Sequence, residues 1–278
     1  TYVTRRSGDD RYLAQEHARC LADRTSIQLY PMKTIGVIGL GSIGMRHARN
    51  LLAMGHEVFG WDPDEVRAQM LQASGGGMMA DPIPYSFETL GACDGVVIAS
   101  PTHMHLSHLE RAVDRKKPVL VEKPISNATD PSYAEEIVQR ARAPIMVGTM
   151  LRFHSCVKKA REWLGAGLIG KPIWANFTCA QYNDKPAYLR DGVILNWSHE
   201  IDLALYLLGP AKVAASSTRL TDGKDDIADI LLTHDNGARS NIHLDYVTNP
   251  EQRGFTIGGS NGVIASDLTL RSIVRITN

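Results

Sequence analysis

The stretch Thr34-Ile35-Gly36-Val37-Ile38-Gly39-Leu40-Gly41-Ser42-Ile43-Gly44 decides the fold. Thr34 to Ile38 have the character of a buried strand and run into three glycines spaced G-x-G-x-x-G. Met45 to Met54 then read as a helix that Gly55 can close in a left-handed conformation. Gly39 permits the tight turn, Gly41 lets the backbone approach a pyrophosphate, and Gly44 allows close packing of helix on strand. Ser42 and Ile43 complete a turn whose N–H groups, at the positive end of a helix dipole, hold a phosphate without help from Lys or Arg. The glycine spacing alone is a weak signal. Between a strand and a helix, and followed by a second strand, Glu57 to Trp61, that ends in Asp62, it reads as a dinucleotide-binding βαβ unit. An acid at Asp62 accepts hydrogen bonds from the adenosine ribose hydroxyls and repels a 2′-phosphate, which favours NAD over NADP. The competing reading makes Asp62 the cap of a helix starting near Pro63.

Beyond this unit the alternation persists: a helix over 64–72, a glycine loop at 75–77, an apolar strand at 95–99, a helix over 106–117 and a strand at 118–121. Ligands of open parallel sheets gather at the carboxyl ends of the strands. Ser100, Pro101, Thr102 and His105 follow one strand end, and Glu122, Lys123 and Pro124 the next, so these residues are placed to meet a cofactor. A lysine there can hydrogen-bond a substrate oxygen and stabilise a developing alkoxide. Taken without context, Glu122 and Lys123 also read as a solvated strand end.

The composition agrees with a globular protein. In 278 residues, 44% are hydrophobic and 22% charged, too apolar for a disordered polymer. Thirty basic residues balance thirty acidic ones, so no global field gathers nucleic acid or an anionic membrane surface. No apolar run approaches the roughly 18–20 residues of a membrane-spanning helix, and no signal-peptide core opens the chain. A soluble, cytoplasmic protein is expected. Cys20, Cys93, Cys156 and Cys179 form no CxxC pair or metal-spaced cluster, which suits reduced structural thiols and no metal site. Residues 1–31, with five Arg and four acids, read as an N-terminal extension outside the core fold, and the helical-looking Tyr12–Asp23 is given no role.

The segments GVIGLGSIG, ASPTHMH and VLVEKPIS, in that order, resemble the Gfo/Idh/MocA family of oxidoreductases over residues 33 to about 276. The resemblance implies a Rossmann domain, here 32–150, built on a doubly wound parallel sheet that binds NAD(P). It implies a second, α+β domain, here 151–278, with a large, mostly antiparallel open sheet for substrate binding and oligomerisation. The lysine of the EKP motif, Lys123, would contact nicotinamide and substrate, beside a proline, Pro124, that is often cis.

Asp191-Gly192-Val193-Ile194-Leu195-Asn196-Trp197-Ser198-His199-Glu200-Ile201-Asp202 resembles the family's second signature, with His199 as general base and Asn196 where a carboxylate is usual. At a spacing of three, Asn196, His199 and Asp202 share one helical face and can project together toward the cleft. Arg152 and His154, after the strand Pro144 to Gly148, are read either as facing the nicotinamide or substrate or as fixing the domain junction. Ser155 is expected to cap the next helix. Tyr182, Tyr188 and Arg190 are candidates for binding substrate hydroxyls or a carboxylate.

Asp235-Asn236-Gly237 signals a hairpin in a strand-rich second half. Alternation puts His243 and Asp245 on the more polar face of the sheet; the family resemblance implies that this open face makes homodimer or homotetramer contacts, so the two residues are read as interface or solvent-facing, not catalytic. The chain stops after the strands Phe255 to Asp267 and Leu270 to Ile276, where relatives continue.

The expected function is NAD-dependent hydride transfer to or from a hydroxyl or keto carbon of a sugar, polyol or sugar nucleotide. Asn196 keeps a non-catalytic NAD sensor open as an alternative. A glycoside-cleaving enzyme using transient oxidation is the third reading.

Overall fold

A computed structural model describes residues 31–78, 91–183 and 191–277. The readings of Tyr12–Asp23, Cys20, Tyr188 and Arg190, and all of the 1–31 extension but its last residue, lie outside the described residues.

The first half alternates β1 (Thr34–Ile38), α1 (Ser42–Ala53), β2 (Glu57–Trp61), α2 (Glu65–Ala73), β3 (Gly77–Met78), β4 (Gly95–Ile98), α3 (His105–Asp114), β5 (Val119–Val121), α4 (Ser132–Arg140) and β6 (Ile145–Val147). The six strands pair in parallel in the order β3-β2-β1-β4-β5-β6. Parallel strands are covered on both faces, so β4 reads as four consecutive buried residues with no polar alternation. Successive side chains point to opposite faces. Val37 and Val97 therefore join the core under α1 and α2, while Ile38 and Ile98 join the core with Leu109 and Ile137 of α3 and α4. The chain winds outward from β1 in both directions, so the carboxyl ends of β1 and β4 open a crevice where the strand order reverses.

The second half comprises α5 (Ser155–Gly165), β7 (Pro172–Ala180), α6 (Val193–Asn196), α7 (Ser198–Leu208), β8 (Ala211–Thr221), β9 (Lys224–His234), β10 (Arg239–Asp245), β11 (Gln252–Gly259), β12 (Gly262–Asp267) and β13 (Ser272–Ile276). Its seven strands run in the order β13-β12-β11-β7-β10-β9-β8, antiparallel except for β7 beside β10. One face buries Ala228, Ile230, Leu232, Ile242 and Leu244 against α5 and α7. The other is open, and β8 is exposed along nearly its whole length. The hairpin between β9 and β10 forms where the Asp-Asn-Gly signal lies, with Gly237 at φ +88° and Asn236 Oδ1 accepting from Ala238 N.

One capping expectation, at Ser155, and the competing reading of Asp62 as a cap are corrected. His154, not Ser155, caps α5 by accepting from Cys156 N through Nδ1, because Ser155 already has helical geometry. The cap of α2 is Asp64, whose carboxylate accepts from Val66 N, and not Asp62. No helix among the described residues is long and apolar enough to cross a membrane.

Candidate active site

The glycine turn forms the first wall of the site. A Cβ on Gly39, at φ +86°, would lie 2.7 Å from the Ala99 carbonyl oxygen, and one on Gly44 would lie 1.8 Å from that of Gly39. Both positions exclude any side chain. A Cβ on Gly41 would meet nothing nearer than Arg67 Nη1 at 3.9 Å, so the backbone there borders open space. Gly41 begins α1 without a side-chain cap, and no acid occupies the first turn. The free N–H groups and dipole thus border a groove of about 330 Å³ lined by Gly41, Ser42, Arg49 and Arg67. These features fit the pyrophosphate and adenosine of a dinucleotide.

Asp62 sits at the end of β2 as expected, but its two oxygens already accept from Leu40 N at 2.7 Å and Asp64 N at 2.9 Å, and its side chain is 4% exposed. It fastens the glycine turn to the neighbouring strand.

The ends of β4 and β5 are held together by histidines. His105, 1% exposed, places one ring nitrogen 2.8 Å from the Ser100 carbonyl and the other 2.8 Å from the Pro124 carbonyl. His108 contacts Ser100 Oγ at 2.9 Å, and burial, with smaller contributions from Arg111 and His105, pushes it down to about 4, so it is neutral. The Lys123–Pro124 peptide is cis. Burial would raise the Glu122 carboxyl, but a 2.7 Å contact with His47 of α1 and the Lys123 N–H outweigh it and hold it below the usual range. Burial draws Lys123 below the ordinary lysine value, against the opposing charges of Glu122 and Glu200. Its Nζ donates to the main-chain carbonyl of Asn196, across the cleft.

The second wall differs from the expected single helix. Asn196 ends the one-turn α6, Trp197 breaks the helical geometry at φ −111° and ψ 35°, and α7 starts at Ser198. Asn196, His199 and Asp202 therefore do not share one continuous face. The break is anchored on both sides. Asp225 accepts from Ile194 N at the start of α6, in space that only Gly192 leaves, since a Cβ there would fall 1.9 Å from Asp225 Oδ1. Trp197 packs edge-on against Tyr246, with centroids 4.6 Å apart. The Asn196 amide donates to Tyr246 Oη at 2.7 Å, and Tyr246 donates to the Asp191 carbonyl.

His199 is 8% exposed; burial first, then the charges of Lys123 and Arg253, bring it to about 4. It is a neutral imidazole at neutral pH and can accept a proton. Asp202 turns elsewhere and forms a two-pronged pair with Arg152, at 2.9 and 2.5 Å. Arg152 is engaged by Asp202, His154 caps α5, and Tyr182 is 60% exposed; none of these, nor Asp202, lines the cleft.

The cleft, about 380 Å³, gathers Ile43, Ser100, Pro101, Thr102, His105, Glu122 and Lys123 from the first wall, with Asn196 from the second. It also includes His103, Asn127, Asp191 and Leu195. Sequence reasoning did not select those four, although each lies inside or next to a quoted motif. Tyr246, on the far side of the chain in sequence, gave no local signal. Together the walls place an ammonium and a carboxamide around a space large enough for a small polar molecule, while His199, buried and neutral, is not among the residues that line it.

Residues 33–148 match the oxidoreductase family with an NAD-binding Rossmann fold, and residues 157–265 match the GFO/IDH/MocA C-terminal domain. Myo-inositol 2-dehydrogenase of Thermotoga maritima is 30% identical over 261 residues, covering 88% of this chain and 78% of that protein. Scyllo-inositol 2-dehydrogenase (NAD(+)) of Bacillus subtilis is 32% identical over 181 residues, 62% of this chain, and the match spans only about half of that protein, 53%. A solved oxidoreductase from Agrobacterium radiobacter, in complex with NAD+, L-tartaric acid and magnesium, superposes with a TM-score of 0.74 at 26% identity. That superposition covers 85% of this chain and 75% of the other.

Proposed function

Because the chain belongs to the GFO/IDH/MocA family of oxidoreductases and carries its NAD-binding Rossmann domain, we propose that it transfers hydride between NAD and a hydroxyl-bearing carbon of a sugar or polyol. The observation that carries this reading is the Lys123 ammonium, presented across the cleft to the Asn196 carbonyl, with a neutral His199 that feels the Lys123 charge. Bound NAD would supply the hydride acceptor at its nicotinamide.

The chain's own residues do the rest. The α1 N-terminus and the glycine turn take the pyrophosphate, and Asp62 holds that turn while offering remaining lone pairs to the ribose. Ser100, Pro101 and Thr102 border the nicotinamide end, where His105 ties the Ser100 and Pro124 carbonyls into one rigid floor. Lys123 hydrogen-bonds the reacting oxygen and favours its alkoxide form, while His199 accepts the hydroxyl proton. Carbonyl reduction uses the same groups in reverse. Asn196 orients but adds no charge, its amide being fixed by Tyr246. The open face of the second sheet, with β8 exposed, is the surface for self-association.

The test is an absorbance screen at 340 nm, with NAD and NADP separately, over inositols, aldoses and nucleotide sugars. NADH formation with a polyol or sugar is expected. Stoichiometric NAD binding without turnover on any of them would instead support a non-catalytic sensor, and product release without net NADH would support glycoside cleavage by transient oxidation.

A further inference from the structure

Next to His199 in the chain lies one half of a buried charged pair to which the sequence assigned no role. Glu200, in the first turn of α7, is 1% exposed, and one of its oxygens accepts from Arg253 Nε of β11 at 2.8 Å. Its other oxygen, Arg253 Nη2 and the Nδ1 of adjacent His199 have no hydrogen-bond partner among the described residues. Buried polar groups are almost always satisfied, so three such atoms together mark a place kept polar for a reason other than packing. Stability is a poor reason, since buried ion pairs often add little or nothing over well-packed apolar residues.

The charges of both residues act on Lys123, and although burial raises the Glu200 carboxyl above its ordinary value, the Arg253 guanidinium and Lys123 pull it back toward the anion. The charged and titratable groups acting on that ammonium or facing it are Glu122 on its own loop, Asp191 before α6, Glu200 and His199 on α7, and Arg253 on β11. Glu122 is committed to His47 and the Lys123 N–H, and Asp191 is exposed at the rim. Glu200 alone combines burial with an oxygen that has no partner among the described residues.

We propose that Glu200, held in place by Arg253, is the positioning carboxylate of this site, supplying the negative charge that the amide of Asn196 does not. It keeps the Lys123 amine cationic within a half-buried setting that would otherwise favour the neutral form. The proposal rests on the reading of Lys123 as the group that binds the reacting oxygen.

The experiment uses the full chain without NAD or substrate. The Lys123 amine is titrated by competitive acylation across pH, with its peptide quantified by mass spectrometry. In Glu200→Gln the midpoint falls below that of wild type, and in Glu200→Asp, which keeps the charge, it returns toward the wild-type value. Should Glu200→Gln not fold, Glu200→Gln/Arg253→Gln removes the buried cation along with the anion. The midpoint then still falls, by less, because Glu200 acts on Lys123 more strongly than Arg253 does. A midpoint unchanged in the folded variants would overturn the proposal. In the holoenzyme, Glu200→Gln lowers kcat at neutral pH by roughly 10-fold, with the limb of the pH profile due to Lys123 moved in the same direction as the labelling midpoint. Absence of turnover in wild type would count against the oxidoreductase reading while leaving the labelling result intact.

Discussion

The two walls of the cleft are built on different principles. The first is a backbone construction: glycines admit the chain where no Cβ fits, strand ends aim it, and buried His105 and His108 tie one strand end to the next. The second is a side-chain construction: Asn196 leans on Tyr246, and the helix that follows it is tied by Glu200 to Arg253 and by Asp202 to Arg152, each partner about fifty residues away. A backbone wall fails when one atom is added. A side-chain wall fails when one partner is removed.

The largest effect should come from the first kind of failure. Gly44→Ala puts a methyl 1.8 Å from the Gly39 carbonyl, in a turn with no soft neighbour to yield. It should cost about 3 kcal/mol or more of stability and weaken NAD binding by about 100-fold or more, read by thermal denaturation and cofactor titration. Binding close to wild type would mean that the turn is not the pyrophosphate seat.

Acid should strike both walls. His108 and His199 titrate near 4 in the folded protein against 6.5 in the unfolded chain, so the native state binds fewer protons between those values. Stability is therefore lost as pH falls from about 6.5 to about 4, by up to about 3 kcal/mol for each histidine. Urea denaturation at pH 7 and 4.5 measures this, and His108→Gln should remove about half of the difference. His243, on the open sheet between Asp229 and Asp245, runs the other way. Burial lowers it, but the two carboxylates outweigh burial and raise it, so its contribution is present below 6.5 and fades as pH rises through the folded value.

Removing a partner that supports the second wall from outside the cleft is milder. Arg152→Ala leaves Asp202, 16% exposed, without its bidentate donor. A loss of about 1–2 kcal/mol is expected, since Arg152 is itself 40% exposed and solvent screens the pair. Unchanged KM for substrate would agree with a structural role away from the cleft. The smallest effect belongs to the surface: Lys33→Ala, which removes a solvent-exposed pair with Asp94, should leave the denaturation midpoint unchanged.

The same contrast explains what the sequence discloses. The parallel sheet and its glycine turn are legible from one contiguous stretch because Gly39 and Gly44 are required by clashes with the next strand or within a few residues, and Gly41 leaves the backbone bordering open space. Lys123 is legible because it follows a short apolar strand at the edge where such sheets bind ligands. The second wall is less so. A spacing of three suggests one helix through Asn196, His199 and Asp202, but Trp197 prefers its contact with Tyr246, and that tertiary contact coincides with the break. Asp62 sits where its strand predicts, yet its oxygens serve Leu40 and Asp64, a backbone bond that no residue pattern encodes. Arg253 and Tyr246 reach the site only because β11 and β10 lie on either side of β7.

The central claim is that chemistry occurs between Lys123 on the first wall and His199 on the second. Its most direct test is steady-state turnover of Lys123→Ala and His199→Ala on the best substrate from the screen, with NAD affinity measured in parallel. Both variants should bind NAD as wild type does, and each should lose about 100-fold or more in kcat. Wild-type turnover in either variant would contradict the account.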